Sequence, residues 1–340
     1  MPVLDGLRAV SVVMVFISHL TIFGTASRNV VEIGTISGAT GVSVFFVLSG
    51  YLITRLLLKE EEQKGAISLK KFYARRFLRI FPAAYAFLAL VLVMSQAGFF
   101  SIPLHSYLAS LLYIRNYVGS GHETAHLWSL AIEEQFYLLW PACLALLAPK
   151  DRVRGVICLI AAVWVWRCYV VLFGLASVGQ LYIRTDLRID TILVGCLLAL
   201  VEQSGRLGRV QSLWMRGTWF LPATLLVLVS WLILAGRSFL AKTVETGVAA
   251  VLIGAIVIWF VSCSESVAGR WLQTPFVLWV GRLSYSLYLW QQVFMGPATP
   301  ETAVIRTFPL NILLTFAAAA VSYYLVERPM LLLKDRYFRA

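Results

Sequence analysis

The chain has 340 residues, of which 60% are hydrophobic and only 14% charged, and its mean hydropathy is +0.80. Soluble domains carry about 25% charged residues, so this composition excludes an ordinary globular domain and indicates a polytopic membrane protein. The net charge of +12 does not indicate a nucleic-acid binder, because the cations are placed as a topology signal.

About ten spans are expected, at roughly 7–24, 38–56, 80–100, 126–148, 155–174, 186–203, 217–235, 244–262, 276–296 and 308–326. The expected fold is an all-α transmembrane bundle over residues 1–340, a single integral membrane domain with no appended soluble domain.

The first span, LDGLRAVSVVMVFISHL, contains Arg8 and His19. Ionisable groups in a membrane helix are costly and point to function. At about 100° and 1.5 Å per residue their eleven-residue spacing puts both on one face, with the imidazole roughly 16 Å deeper than the guanidinium. A basic group at one surface and a titratable base in the interior suit an active site, with His19 as general base. Asp5 lies one turn before Arg8 and suits a local ion pair. A snorkelling arginine and a histidine bonded to a neighbouring helix fit the same residues.

In the second span Gly38 and Gly50 bracket ATGVSVFFVLS, where glycine allows close helix approach or a helix break. Residues 55–79 form the longest polar segment, strongly basic. Within it KKFYARRFLRIFPAAY is expected to be an interfacial helix running into the third span, with Pro82 at the junction. Arg76 and Arg79, three apart and next to Arg75, make a two-pronged fork that suits phosphate oxygens or anionic headgroups. Residues 101–125, with Pro103, His105 and GSGHE, are expected to be irregular and to rest on the membrane surface.

The fourth span opens with HLWSLAIEEQFYLLWP. His126, Ser129, Glu133 and Tyr137 follow helical spacing and make one polar stripe, with Glu134 about 100° away. Such a stripe faces a polar cavity or partner helices, and Glu133 is the better candidate for chemistry. HETAH, residues 122–126, matches the H-E-x-x-H zinc pattern, but glycines precede it and no convincing third ligand follows, so no metal site is expected. Tyr285 and the other tyrosines and serines of RLSYSLYLWQQ, with Glu327 in SYYLVERP, lie in the late spans. Tyrosines at span ends commonly act as interfacial anchors, and Glu327–Arg328–Pro329 suits closure of the last helix at the surface.

With the N-terminus placed in the cytoplasm, 20 of the 29 Lys and Arg residues fall on that side. This is the positive-inside pattern, and it puts both termini in the cytoplasm. The five cysteines, Cys143, Cys158, Cys168, Cys196 and Cys263, lie in or beside apolar spans without a C-x-x-C pair, so packing rather than a disulfide framework is expected.

Taken together, LDGLRAVSVVMVFISHL, GVSVFFVLSGYLIT, FYARRFLRIFP, HLWSLAIEEQFYLLWP, LRIDTILVGCLLA, LSYSLYLW and LVERP resemble acyltransferase family 3 in composition and order, over roughly residues 4–329. Members are membrane O-acyltransferases of surface polysaccharides and some small products. The resemblance implies an acyl-coenzyme A donor, usually acetyl, and a hydroxyl acceptor: a glycan, a lipid-linked sugar or a small molecule. It implies no tightly bound cofactor and a multi-pass cell membrane location of the bacterial inner-membrane type. Carried over by position, His19 is the catalytic base or acyl relay and Arg8 its motif partner. Arg76 and Arg79 are ligands for the coenzyme A phosphates, Gly38 and Gly50 the spaced glycine pair, and Glu133, Glu134 and Glu327 the intramembrane carboxylates. One departure is Trp290–Gln291, where members commonly read tryptophan–histidine, which is expected to leave His19 more alone. Two other readings are kept: a proton-coupled transporter or lipid flippase, and an intramembrane zinc protease.

Overall fold

A computed structural model describes residues 1–23, 28–205, 220–235 and 239–338. Among them the chain forms only helices: α1 (Pro2–Phe23), α2 (Arg28–Lys64), α3 (Leu69–Gln96), α4 (Leu104–Leu111), α5 (Leu127–Leu146), α6 (Arg152–Leu172), α7 (Val178–Ile183), α8 (Thr185–Arg188) and α9 (Asp190–Gln203). They continue as α10 (Phe220–Ala235), α11 (Phe239–Ser262), α12 (Val267–Leu272), α13 (Pro275–Phe294), α14 (Leu310–Ser322), a π turn at Tyr323–Glu327 and α15 (Arg328–Tyr337). Within the described residues the expected spans fall on helices, the one at 186–203 on α8 and α9 together and the one at 308–326 on α14 and the π turn. Six stretches among the described residues are long and apolar enough to cross a membrane: Pro2–Ile22, Gly34–Lys64, Leu69–Gln96, Arg152–Leu172, Thr243–Ser262 and Leu310–Tyr337. The start of the span expected at 217–235, and the expected topology cations Arg206, Arg209, Arg216, Arg237 and Arg339, lie outside the described residues.

Two expectations about connections change. The polar run 55–79 is not one long segment, because α2 continues through it to Lys64. Lys, Glu and Leu are good helix formers, and only residues 65–68 separate α2 from α3. Ser68 caps α3 by accepting from the Lys71 backbone N–H at 3.4 Å. As expected, the basic stretch then runs through Pro82 into the apolar half of a single helix. At the other end, Pro329 does not close the last helix. It occupies the first turn of α15, where proline is tolerated, and the helix continues to Tyr337.

The chain divides into two compact units. The first comprises residues 1–11, 39–67 and 136–281. In it α2 and α9 approach so closely that a side-chain carbon on Gly50 would lie 1.9 Å from the Ile192 carbonyl, and one on Gly195 2.1 Å from the Val47 carbonyl. Gly50 therefore serves close approach, since α2 is unbroken there. The same unit buries charge. Arg167 pairs with Asp190 at 2.7 Å and donates to the carbonyls of Leu187 at 2.8 Å and Thr243 at 3.2 Å. Trp164 donates to Asp190 at 2.8 Å, Arg188 to Ser43 at 2.7 Å, and Tyr182 to Glu245 at 3.0 Å. Near the end of α2, Arg152 and Glu61 form a bidentate pair at 2.5 and 2.8 Å.

The second unit comprises residues 12–38, 68–135 and 282–340. Here α1 and α2 meet through small residues: a side-chain carbon on Gly38 would lie 2.5 Å from the Ser18 hydroxyl, and Ser37 donates to the Met14 carbonyl at 3.1 Å. Phe16 packs edge-on to Phe316 of α14. The 101–125 stretch is irregular apart from α4, and it is internally tied. Ser106 both donates to the Ser120 carbonyl and accepts from its N–H, each at 2.8 Å, while the buried Arg115 guanidinium donates to the carbonyls of Ser120 and Gly121 at 2.9 and 3.0 Å.

Candidate active site

The second unit places a polar seam along one face of α13. Tyr285, Tyr288 and Gln292 are spaced i, i+3 and i+7, so they share a face, with the ends about 10 Å apart along the axis. Tyr285 donates to the Ile80 carbonyl at 2.9 Å, Tyr288 donates to the His126 carbonyl at 2.9 Å and bonds Ser129, and Gln292 is 1% exposed.

Histidines gather at the Gln292 end. His19, on α1, has Nδ1 2.9 Å from the Val15 carbonyl. A carbonyl only accepts, so Nδ1 carries the hydrogen and the neutral ring keeps its lone pair on Nε2. The Gln292 side chain and the rings of His122 and His126 are electrostatic neighbours of His19. The Gln292 amide nitrogen lies 2.6 Å from the His122 carbonyl and 3.0 and 3.1 Å from its two ring nitrogens. Burial, followed by the charges of His19 and Arg306, pushes His122 down to about 4, so it is neutral at physiological pH. His126 is buried edge-on to Phe87, with ring centroids 5.3 Å apart.

Carboxylates and arginines gather at the Tyr285 end. Tyr285 has Glu133, Glu134, Glu327 and Tyr113 as electrostatic neighbours. Glu134 faces Arg76, and Glu327 faces Arg79. Arg76 also lies over the Phe72 ring at 5.7 Å. Arg75 and Arg76 are half-buried and Arg79 is exposed. Glu327 is 6% exposed and accepts a hydrogen bond from Ser286. Several buried polar atoms of this unit have no partner within it: both amide atoms of Gln291, Glu134 Oε1, Trp290 Nε1 and Ser322 Oγ.

Several expectations need restating. Asp5 and Arg8 do form the local ion pair, at 2.9 Å, within the first unit. His126 precedes α5 rather than opening it, so the stripe begins with Ser129. HETAH is a series of turns, not a helix, and Glu123 pairs with Arg306 at 3.7 Å. Among the described residues no three His, Cys, Asp or Glu side chains converge as a metal cage. Gln292, the residue after Trp290–Gln291, and His122 are electrostatic neighbours of His19. Neither was a sequence candidate, although HETAH marked the histidine for a different chemistry.

The acyltransferase domain family model matches residues 1–327. The chain belongs to that family. It is 32% identical over 97% of its length to the peptidoglycan O-acetyltransferase OatA of Listeria monocytogenes, covering 55% of that protein. It is 31% identical to the putative peptidoglycan O-acetyltransferase YrhL of Bacillus subtilis, over 97% of this chain and 54% of that one. With the O-acetyltransferase OatA of Staphylococcus aureus the identity is 30%, over 97% of this chain and 57% of that one. The chain thus spans just over half the length of these relatives. No solved structure matches it.

Proposed function

We propose that the chain is a membrane O-acetyltransferase, multi-pass in a bacterial inner membrane, with about ten spans and both termini cytoplasmic. In this reading residues 1–340 act as one acyltransferase domain. It moves an acetyl group from acetyl-coenzyme A to a hydroxyl of a glycan, a lipid-linked sugar or a similar small acceptor. The observation that carries the reading is the α13 seam. One face of α13 carries Gln292 beside the histidine cluster containing His19 and, about 10 Å along the axis, Tyr285 beside the α3 arginines and the carboxylates of α5 and the π turn.

Arg76 and Arg79, with Arg75 beside them, hold the coenzyme A phosphates. Glu134 faces Arg76 and Glu327 faces Arg79 at this end. The thioester is presented toward His19. Nε2 of His19 takes the proton of the acceptor hydroxyl as its oxygen bonds the acetyl carbon. The C–S bond breaks and its electron pair leaves with sulfur, and the proton passes from His19 to the coenzyme A thiolate. General-base assistance of this kind contributes about 10²–10⁴-fold. Arg8, ion-paired with Asp5, anchors the entry end of α1, and Glu133 stabilises charge on the seam. Alternatively His19 itself carries the acetyl group, and trapping radiolabelled acetyl-histidine distinguishes the routes.

The family match and the O-acetyltransferase relatives support this reading over a transporter or a zinc protease. Its test is His19→Ala: transfer from labelled acetyl-coenzyme A is lost, while the protein stays folded in the membrane. Full activity in that variant would end the proposal.

A further inference from the structure

We propose that the side-chain amide of Gln291 binds the acceptor sugar, taking a neighbouring donor and acceptor of the sugar ring at the outer end of α13. The inference rests on the reading of the chain as an acetyltransferase with a carbohydrate acceptor. It starts from a contrast within the last turn of α13. Gln292 is bonded there through its amide nitrogen, which meets the His122 carbonyl at 2.6 Å. Gln291, the residue before it, is fully buried, yet neither its amide nitrogen nor its amide oxygen has a hydrogen-bond partner. The Trp290 indole N–H and the Gln292 oxygen are also buried and unbonded. The backbone of this turn is closed by the protein itself. The Gln291 carbonyl accepts from the Met295 N–H at 2.7 Å, and the Val293 carbonyl accepts from Arg306 at 3.0 Å. Buried polar groups are normally bonded, so the open ones here, all on side chains, point to a ligand.

The chemistry of the open groups selects the ligand. An amide offers two N–H donors and an oxygen with two lone pairs, so it is best satisfied by a donor and an acceptor side by side. Adjacent substituents of a sugar ring supply them: one hydroxyl or acetamido N–H donates while the neighbouring hydroxyl oxygen accepts. The open groups are all neutral, which suits a sugar and not the coenzyme A phosphates, which call for arginine. The walls agree. Tyr288, one turn before Gln291, lies with its ring centroid 5.5 Å from that of His126, and Trp290 packs edge-on to Phe87 at 5.6 Å. Aromatic rings with a few neutral polar groups are the usual lining of a small-ligand site. Position agrees too. In the topology proposed above α13 is the ninth span and runs outward. Gln291 then lies toward its outer end, near the exposed Pro297 and Ala298, and about 9 Å along the axis from Tyr285 and the arginine end.

The test uses the full chain in lipid nanodiscs, with acetyl-coenzyme A as donor and chitotetraose as acceptor. Gln291→Leu is expected to raise KM for chitotetraose by about 10–100-fold, the worth of two hydrogen bonds, with KM for acetyl-coenzyme A unchanged. A second readout needs no turnover. With glutamine side chains labelled with ¹⁵N, the Gln291 amide signal is identified by its loss in the variant. It should shift when chitotetraose is added to the wild-type protein and stay in place when coenzyme A is added. Should Gln291→Leu fail to fold, Gln291→Met replaces it, and failure of both would show an amide held within the protein and overturn the inference. An unchanged KM for chitotetraose, an amide signal that the sugar does not move, or a rise confined to KM for acetyl-coenzyme A would overturn it as well. The two levels separate cleanly. A wild-type protein that moves no acetyl group to any acceptor defeats the enzyme reading, whereas an active wild type beside unaffected Gln291 variants defeats only this one.

Discussion

Both units bury polar groups inside apolar helices, but they treat them differently. In the first, Arg167 finds Asp190 and two backbone carbonyls, and Asp190 also takes the Trp164 N–H. In the second, Gln291 has neither amide atom bonded and Glu134 keeps an unpartnered oxygen. A buried polar group without a partner forfeits about 1–3 kcal/mol, so a chain retains one where a ligand or a reaction uses it. Unbonded polar atoms occur in the first unit as well, Thr191 Oγ1, Thr246 Oγ1 and Trp259 Nε1 among them, so the difference lies in charge. The first unit pairs its buried Arg167 with Asp190 as framework, whereas the unbonded groups of the second lie beside the proposed site.

The sharpest way to break this contrast is Asp190→Ala. It strands the Arg167 guanidinium and is expected to destabilise the protein by about 3–5 kcal/mol, read as a lower midpoint of unfolding in detergent. Replacing both partners, Arg167→Met with Asp190→Leu, should recover most of that loss. A mild effect of Asp190→Ala would refute the framework role. Next in size is an acid effect in the second unit. His122 is held near 4 in the fold against about 6.5 in the unfolded chain. Between those values the unfolded state binds the proton and the native state does not. Stability present above pH 6.5 is therefore lost as pH falls toward 4, by at most about 3 kcal/mol. His122→Gln should flatten that part of the stability–pH curve. Gly195→Ala forces a methyl group into the α2–α9 contact and is expected to cost about 1–3 kcal/mol by the same unfolding measurement. Smallest, and opposite in sign, Gln291→Leu should stabilise the protein by about 1 kcal/mol, because it removes an unbonded amide. A loss of stability there would show that the amide is satisfied after all.

Much of the helix order was legible, because runs of apolar residues about 20 long have few other outcomes in a chain this hydrophobic. The Asp5–Arg8 pair and the entry of the basic stretch into α3 were legible too, since both depend on spacing of a few residues. The seam was not. Its members come from α1, α3, the turn before α5, α13 and the π turn, and nothing local in SYSLYLWQQ tells a buried tyrosine stripe from an interfacial one. The zinc-like spacing at HETAH carries no metal chemistry for a related reason: the motif requires a helix, and that stretch forms turns. The 55–79 run shows a further limit, since charge alone does not end a helix when its residues are good helix formers.

The π turn at Tyr323–Glu327 carries one more consequence. A π turn amounts to one residue inserted into an α-helix, and everything beyond it is rotated by about 100° from where an unbroken helix would put it. That offset presents Glu327 inward to Ser286 while its neighbour Arg328 stays exposed. Deleting a single residue from the turn would reset the phase, swinging the carboxylate toward lipid and a guanidinium toward the seam. The acid–base balance of this end of the molecule is thus set by a count of backbone atoms as much as by side-chain identity.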